Sequence, residues 1–216
     1  MKRLLIGLPV TLLIFAACGA AVAREDSRSM TWLFDVYLDD SKIGYHRYEI
    51  VEDEGHARVY SEANFDVKFL FINAFRYRHS NSEQWADGCL QQIEANTNTN
   101  GKRLKVFGEK TDSGFVIKND EGSARLPDCV MTFAYWNPQF LEQPRLLNPQ
   151  TGELLDVNVE ERGPDIVEVG DREVEATRYT LSAKDMQLTI WYSPDREWLA
   201  LESVAKGGRI IRYKRA

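Results

Sequence analysis

The sequence predicts an all-β fold: one large antiparallel sheet, curled into a barrel or half-barrel, with a short helical or irregular plug. Turn chemistry punctuates the chain every 8 to 12 residues, and between the turns apolar side chains recur at every second position. No stretch of the mature chain carries a long helical period, and about ten evenly spaced strands favour a single sheet that curls over flat layers.

The first strand takes Trp32, Phe34, Val36 and Leu38 on one face, and Asp39-Asp40-Ser41-Lys42 turns the chain into Ile43-Gly44-Tyr45-His46-Arg47-Tyr48-Glu49-Ile50. After Glu54-Gly55, the series Val59, Ser61, Ala63, Phe65 and Val67 alternates with Arg58, Tyr60, Glu62, Asn64, Asp66 and Lys68. Period two with one wet face describes a sheet half exposed to solvent. Further hairpin signals stand at Asn100-Gly101, a type I′ candidate, and at Asp112-Ser113-Gly114, Asp120-Glu121-Gly122, Gln150-Thr151-Gly152 and Gly207-Gly208. They separate strands around residues 104–106, 115–117, 155–159, 177–181, 188–192 and 210–213.

The N-terminus is read as a segment that does not enter the fold. Lys2-Arg3, an apolar run over residues 4–17 and Ala21-Val22-Ala23 before Arg24 form a positive region, a short hydrophobic region and an A-x-A cleavage site. Residues 1–23 are therefore expected to be a signal peptide, and residues 24–216 a single antiparallel β domain in the periplasm. The same segment offers Phe15-Ala16-Ala17-Cys18-Gly19, which looks like a bacterial lipoprotein box with Cys18 as the acylated residue. Membrane attachment is expected only through an acylated Cys18.

Removing 23 of 216 residues leaves 193, enough for one domain with a sizeable core. The mature chain holds 25 basic and 33 acidic residues, a net charge of −8 that repels phosphate backbones. Nucleic acid is thus not an expected partner. Two cysteines remain, Cys89 and Cys129, and an even pair in an oxidising compartment reads as a disulfide.

Two stretches break the alternation. Phe69-Leu70-Phe71-Ile72-Asn73-Ala74-Phe75 and Val130-Met131-Thr132-Phe133-Ala134-Tyr135-Trp136 are apolar on both faces, as a strand buried on both sides or the lining of an apolar pocket would be. Pro138 and Pro149 push Asn137 and Asn148 into extended geometry, so two Asn-Pro steps bracket a segment of turn or short-helix character. That segment reads as a lid over one end of the curled sheet or as a plug within it.

Catalytic and cofactor motifs are missing: no G-x-S-x-G, no Gly-rich phosphate loop, no H-E-x-x-H and no C-x-x-C. No catalytic residue and no cofactor is assigned. His46, His56 and His79 lie in separate strands or turns; His46 and His79 meet only if their strands sit close in the sheet, and no metal-ligand spacing joins them. His56, beside Glu54-Gly55, reads as a turn residue.

Gly88-Cys89-Leu90, the run Cys129-Val130-Met131-Thr132-Phe133-Ala134-Tyr135-Trp136-Asn137-Pro138 and the run Leu146-Leu147-Asn148-Pro149-Gln150-Thr151-Gly152-Glu153 resemble a family of exported bacterial proteins known as a domain of unknown function. The likeness extends over residues 32–213; it implies that Cys89 and Cys129 belong to the family pattern, which fits a disulfide. The strand series Ala176-Thr177-Arg178-Tyr179-Thr180-Leu181, Leu188-Thr189-Ile190-Trp191-Tyr192 and Trp198-Leu199-Ala200-Leu201-Glu202 is similar to that of periplasmic lipoprotein carriers, whose half-open barrels hold acyl chains. This second resemblance implies an apolar ligand by analogy of fold alone. The expected function is a periplasmic binding or carrier protein for a lipid-like apolar ligand, contacted by Phe71, Phe75, Tyr135, Trp136 and Trp191. A ligand-free envelope adaptor or structural protein stands second and a hydrolase third.

Overall fold

A computed structural model describes residues 27–69 and 72–216. The expected signal peptide and the candidate lipidation residue Cys18 lie outside the described residues, as does the candidate ligand contact Phe71.

Eight strands follow one another as a meander: β1 (Arg28–Leu38), β2 (Ser41–Asp53), β3 (His56–Phe69), β4 (Ile72–Ala86), β5 (Cys89–Thr99), β6 (Lys102–Thr111), β7 (Gly114–Asn119) and β8 (Gly122–Leu126). After an irregular stretch holding the short pair β9 (Arg145–Leu147) and β10 (Leu154–Asp156), a second meander runs through β11 (Asn158–Val169), β12 (Arg172–Ala183), β13 (Met186–Tyr192), β14 (Trp198–Val204) and β15 (Ile210–Arg215). The two meanders join where β15 pairs antiparallel with β1, from Phe34 opposite Arg215 to Leu38 opposite Ile211. The result is a 13-stranded antiparallel sheet in the order β11-β12-β13-β14-β15-β1-β2-β3-β4-β5-β6-β7-β8. It curls but does not close, so the half-barrel alternative is the one realised.

Local chemistry sets the hairpins. Glu54-Gly55, Asp87-Gly88 and Asn100-Gly101 each place two successive residues at positive φ, the type I′ geometry that matches the twist of the flanking strands. Register slips at Val36/Tyr37, Val67/Lys68, Gln84/Trp85, Glu161/Gly163 and Trp191/Tyr192 mark bulges. A bulge bends its strand and increases the local twist, which is what a broad sheet needs in order to curl. At the first of them, Gly44 lies so close to β3 that an added Cβ would fall 1.8 Å from the Asn64 carbonyl oxygen. Backbone cannot step aside as a side chain tip can, so Gly44→Ala is expected to cost about 3 kcal/mol or more in a denaturant melt.

The concave face carries the main core: Trp32 and Phe34 from β1, Tyr48 and Ile50 from β2, Trp85 from β4, Leu90 and Ile93 from β5, and Leu188, Ile190, Tyr192 and Trp198 from the second meander. Against it sits the segment 127–157. Val130, Met131, Phe133, Ala134, Trp136, Phe140, Leu146, Leu147 and Leu155 are all buried there, so this segment is a plug filling the curl. It departs from one sequence expectation, since residues 130–136 form no strand and touch the two-stranded pair only through a bridge from Thr132 to Leu147. The apolar run is buried on all sides because the curled sheet surrounds it, and an irregular backbone lets successive side chains point in several directions.

Candidate functional site

The plug is held at several points. A disulfide joins Cys89 at the start of β5 to Cys129, with their Cα atoms 5.0 Å apart, and the next residue along accepts a hydrogen bond from Leu90 N–H at 3.0 Å. The Leu147 N–H donates to the Met131 carbonyl at 2.8 Å, and the Tyr192 hydroxyl donates to the Tyr135 carbonyl at 2.6 Å. Asn137 is extended, as expected before Pro138, and the side-chain oxygens of Asn137 and Asn148 each accept from the backbone N–H two residues on, at 3.1 and 2.9 Å. The first of these opens a 3₁₀ helix, Pro138–Glu142, whose Phe140 is fully buried.

Between plug and sheet lies a cavity of about 100 Å³ whose wall is unexpectedly polar. The sheet register explains it. His46 of β2 lies opposite Ala63 of β3, Ala63 opposite His79 of β4, and His79 opposite Thr97 of β5, forming one lateral row across four strands. One step along, Tyr48, Ser61 and Asn81 form a second row; one further, Ile50, Val59 and Glu83 form a third. His46, Ser61, His79, Asn81, Glu83 and Thr97 are all buried, as is Thr132 facing them from the plug.

Part of this polar set is paired. His79 Nδ1 and Thr97 Oγ1 are 2.9 Å apart, and Glu83 accepts from Asn81 Nδ2 at 2.8 Å and from Trp85 Nε1 at 2.9 Å. The rest is not: both ring nitrogens of His46, Asn81 Oδ1 and Trp136 Nε1 are buried without a partner. Leaving a buried donor or acceptor unpaired costs about 1–3 kcal/mol each, so the cavity carries a concentrated deficit. Aromatic rings frame it, with His46 stacked on Tyr48 at 4.4 Å and Tyr213 tilted against His46 at 5.7 Å.

Burial also sets the protonation states. Desolvation lowers the His46 pKa to about 3, with a smaller push from His79, and desolvation alone lowers that of His79 to about 4. Both imidazoles are therefore neutral at neutral pH. Burial raises the Glu83 pKa against the opposing pull of hydrogen bonds from Asn81, Thr132 and Trp85.

These shifts predict an acid-labile fold. Each histidine's folded pKa lies below its ordinary 6.5, so the unfolded chain binds more protons between the two values. Stability is then complete above pH 6.5 and falls as the pH drops toward 4, by up to about 1.4 kcal/mol per pH unit for each histidine. Glu83, whose pKa is raised, acts in the opposite sense above 4.5, where the folded chain holds its proton more tightly. Urea midpoints measured from pH 7 to 4 are expected to fall, with a shallower slope in His46→Phe; equal slopes in the two proteins would refute this origin.

Of the five residues expected to touch a ligand, the four that are described lie apart. Tyr135 and Trp136 line the cavity. Phe75 is half-buried in β4 opposite Val67, toward the end of the curl away from the disulfide. Trp191 lies on the other face of the sheet from its neighbours Ile190 and Tyr192; it packs with Ala176 and Leu199 and donates from Nε1 to Asp165 at 2.9 Å. His46, His79, Asn81 and Glu83 carry the site and were not assigned to it from the sequence. Their signal was the parity of β4, where Tyr77, His79, Asn81, Glu83 and Trp85 alternate with Arg76, Arg78, Ser80, Ser82 and Gln84.

A second apolar cluster continues from this cavity toward the opposite end of the curl. Val36, Leu38, Ile43, Ala63 and Phe65 form it, with Val67, Tyr77, Ile211 and Tyr213 packed alongside. Ala63, Tyr77 and Tyr213 also line the cavity, while Leu38, Ile43 and Val67, with Ala74, line an open hollow of about 670 Å³ rimmed by Lys42, Asp66 and Arg209.

The fold is similar to that of a β-barrel-like protein of domain of unknown function DUF1849 from Brucella abortus, with a TM-score of 0.64. The match covers 87% of this chain and 95% of that one at 11% identity, so the likeness concerns the fold alone. No curated protein matches the sequence. Residues 34–216, a span that includes the polar rows, both disulfide cysteines and the whole plug, match the model of a domain of unknown function, DUF6134, and the chain belongs to that family.

Proposed function

We propose that this is an exported binding or carrier protein of the cell envelope, whose ligand is lipid-like. The observation that carries the reading is the apolar cluster around Phe65, which runs from the cavity to the open hollow beside Leu38, Ile43 and Val67. A chain laid in the hollow would cover the apolar side chains that line it, Leu38, Ile43, Val67 and Ala74, each of its methylenes contributing about 0.8 kcal/mol when removed from water. The cavity has room for a small polar group only, so in this reading the head occupies the cavity, the tail the hollow, and the packed cluster around Phe65 between them parts on binding.

The test is organic extraction of native protein purified without detergent, together with displacement of the neutral dye 1-aminoanthracene by monodecanoylglycerol. Extracted lipid near one per protein, and saturable displacement lost in Ala74→Arg, are the expected results. Ala74 is exposed on the hollow's wall, so the substitution blocks the hollow without disturbing the core. If native protein yields no lipid and neither dye nor amphiphile binds, the reading fails. The plug, which already fills most of the concave face, would then favour a ligand-free envelope adaptor.

A further inference from the structure

We propose that the cavity between the β2–β4 polar rows and the plug binds an uncharged group that both donates and accepts hydrogen bonds, the head of an alcohol, amide or glyceride amphiphile. The inference rests on the carrier reading for the tail and on the cavity itself for the head.

The unpartnered atoms are of both kinds: Trp136 Nε1 donates, Asn81 Oδ1 accepts, and a neutral His46 ring supplies one donor and one acceptor. All three residues are at least nine-tenths buried and line the same small space, so bulk water does not satisfy them. Ala63 contributes the room, because a methyl group stands in the row where the flanking strands place His46 and His79.

Charge selects against ionic heads. Among the described residues no lysine or arginine lines the cavity, so an anionic carboxylate or phosphate would be buried without a counter-charge. Among the described residues the one carboxyl in the wall is Glu83, whose two oxygens accept from Asn81 and Trp85. Burial raises its pKa and so disfavours the ionised form that a cationic head would need. Burial keeps both histidines neutral, which removes the other source of positive charge. What remains is a small wall of matched open donors and acceptors in which charge is disfavoured, sized for a few heavy atoms.

The experiment compares amphiphiles that share a ten-carbon tail and differ in the head. Monodecanoylglycerol and decanamide are expected to displace 1-aminoanthracene at concentrations at least about tenfold below those of decanoate, decyl phosphate and decyltrimethylammonium. His46→Phe, and Ala63→Leu, which fills the space between the two imidazoles, are expected to abolish that preference while the dye still binds. Equal displacement by all five heads, or a preference unchanged in both variants, overturns the inference and leaves the carrier reading standing. If no amphiphile binds, the carrier reading falls and the cavity is judged alone, by the Trp136 indole N–H resonance of the wild-type protein. A saturable shift with acetamide, and none with acetate or ammonium, supports the neutral site; no shift with acetamide means the cavity holds water only and overturns it.

Discussion

Trp198→Ala is expected to lower the unfolding free energy by about 4 kcal/mol, a large share of the roughly 5–15 kcal/mol that holds a domain together. The indole is fully buried. Phe34 lies 4.0 Å from it between ring centroids, Tyr135 5.1 Å, Tyr48 5.4 Å, Tyr213 6.2 Å and Trp32 6.3 Å. Its Nε1 donates to the Ala200 carbonyl at 2.9 Å, so truncation removes both the packing and a partly buried hydrogen bond. These partners come from β1, β2, β15 and the plug, which cannot all shift inward to refill one hole. Urea denaturation followed by circular dichroism measures the loss; a change below about 1.5 kcal/mol would show that the site collapses around the cavity.

Breaking the disulfide, as Cys89→Ala with Cys129→Ala, is expected to cost about 4 kcal/mol, because the bridge closes a loop with a sequence separation of 40. The loss has a local signature as well. The bridge fixes the point where the plug leaves β8, while the plug's middle is held by hydrogen bonds such as Tyr192 to Tyr135 and Leu147 to Met131. The double variant should therefore open first around residues 127–132, seen as new proteolytic cleavage there before any in the sheet. Cleavage appearing uniformly along the chain, or a stability loss under about 1 kcal/mol, would contradict this placement of the bridge's effect.

Most of the sheet was legible because one face of each strand is wet. β1 and β3 alternate cleanly, and the Asn100-Gly101 turn takes the φ values its residues favour. β4 and β5 were not legible as strands. Their inward positions carry His79, Asn81, Glu83 and Thr97, so polar residues face both solvent and cavity and the period-two contrast vanishes. The same substitution of polar for apolar hid the candidate site, since an inward polar row erases the pattern by which strands are found. Conversely, the apolar run at 130–136 read as a doubly buried strand, because composition reports burial without reporting backbone shape. Tyr135 and Trp136 were identified through that burial; Trp191 was grouped with them only because aromatic residues on the two faces of a strand look alike in sequence.

The pairing of β15 with β1 has a consequence for how the chain acquires its structure. Every other neighbour in the large sheet is also a neighbour in sequence, so hairpins can form one after another by closing short loops. The seam between β1 and β15 joins residues some 180 positions apart, from Phe34 to Arg215, and lies in the interior of the sheet. Until the last strand is synthesised, β1 presents a bare hydrogen-bonding edge beside its most apolar side chains. The two meanders can thus each form by closing short loops, and the seam between them, where Trp198 and Phe34 meet, carries the largest loop-closure cost in the sheet. A partner that bound the bare β1 edge during that interval would compete directly with the chain's own final strand.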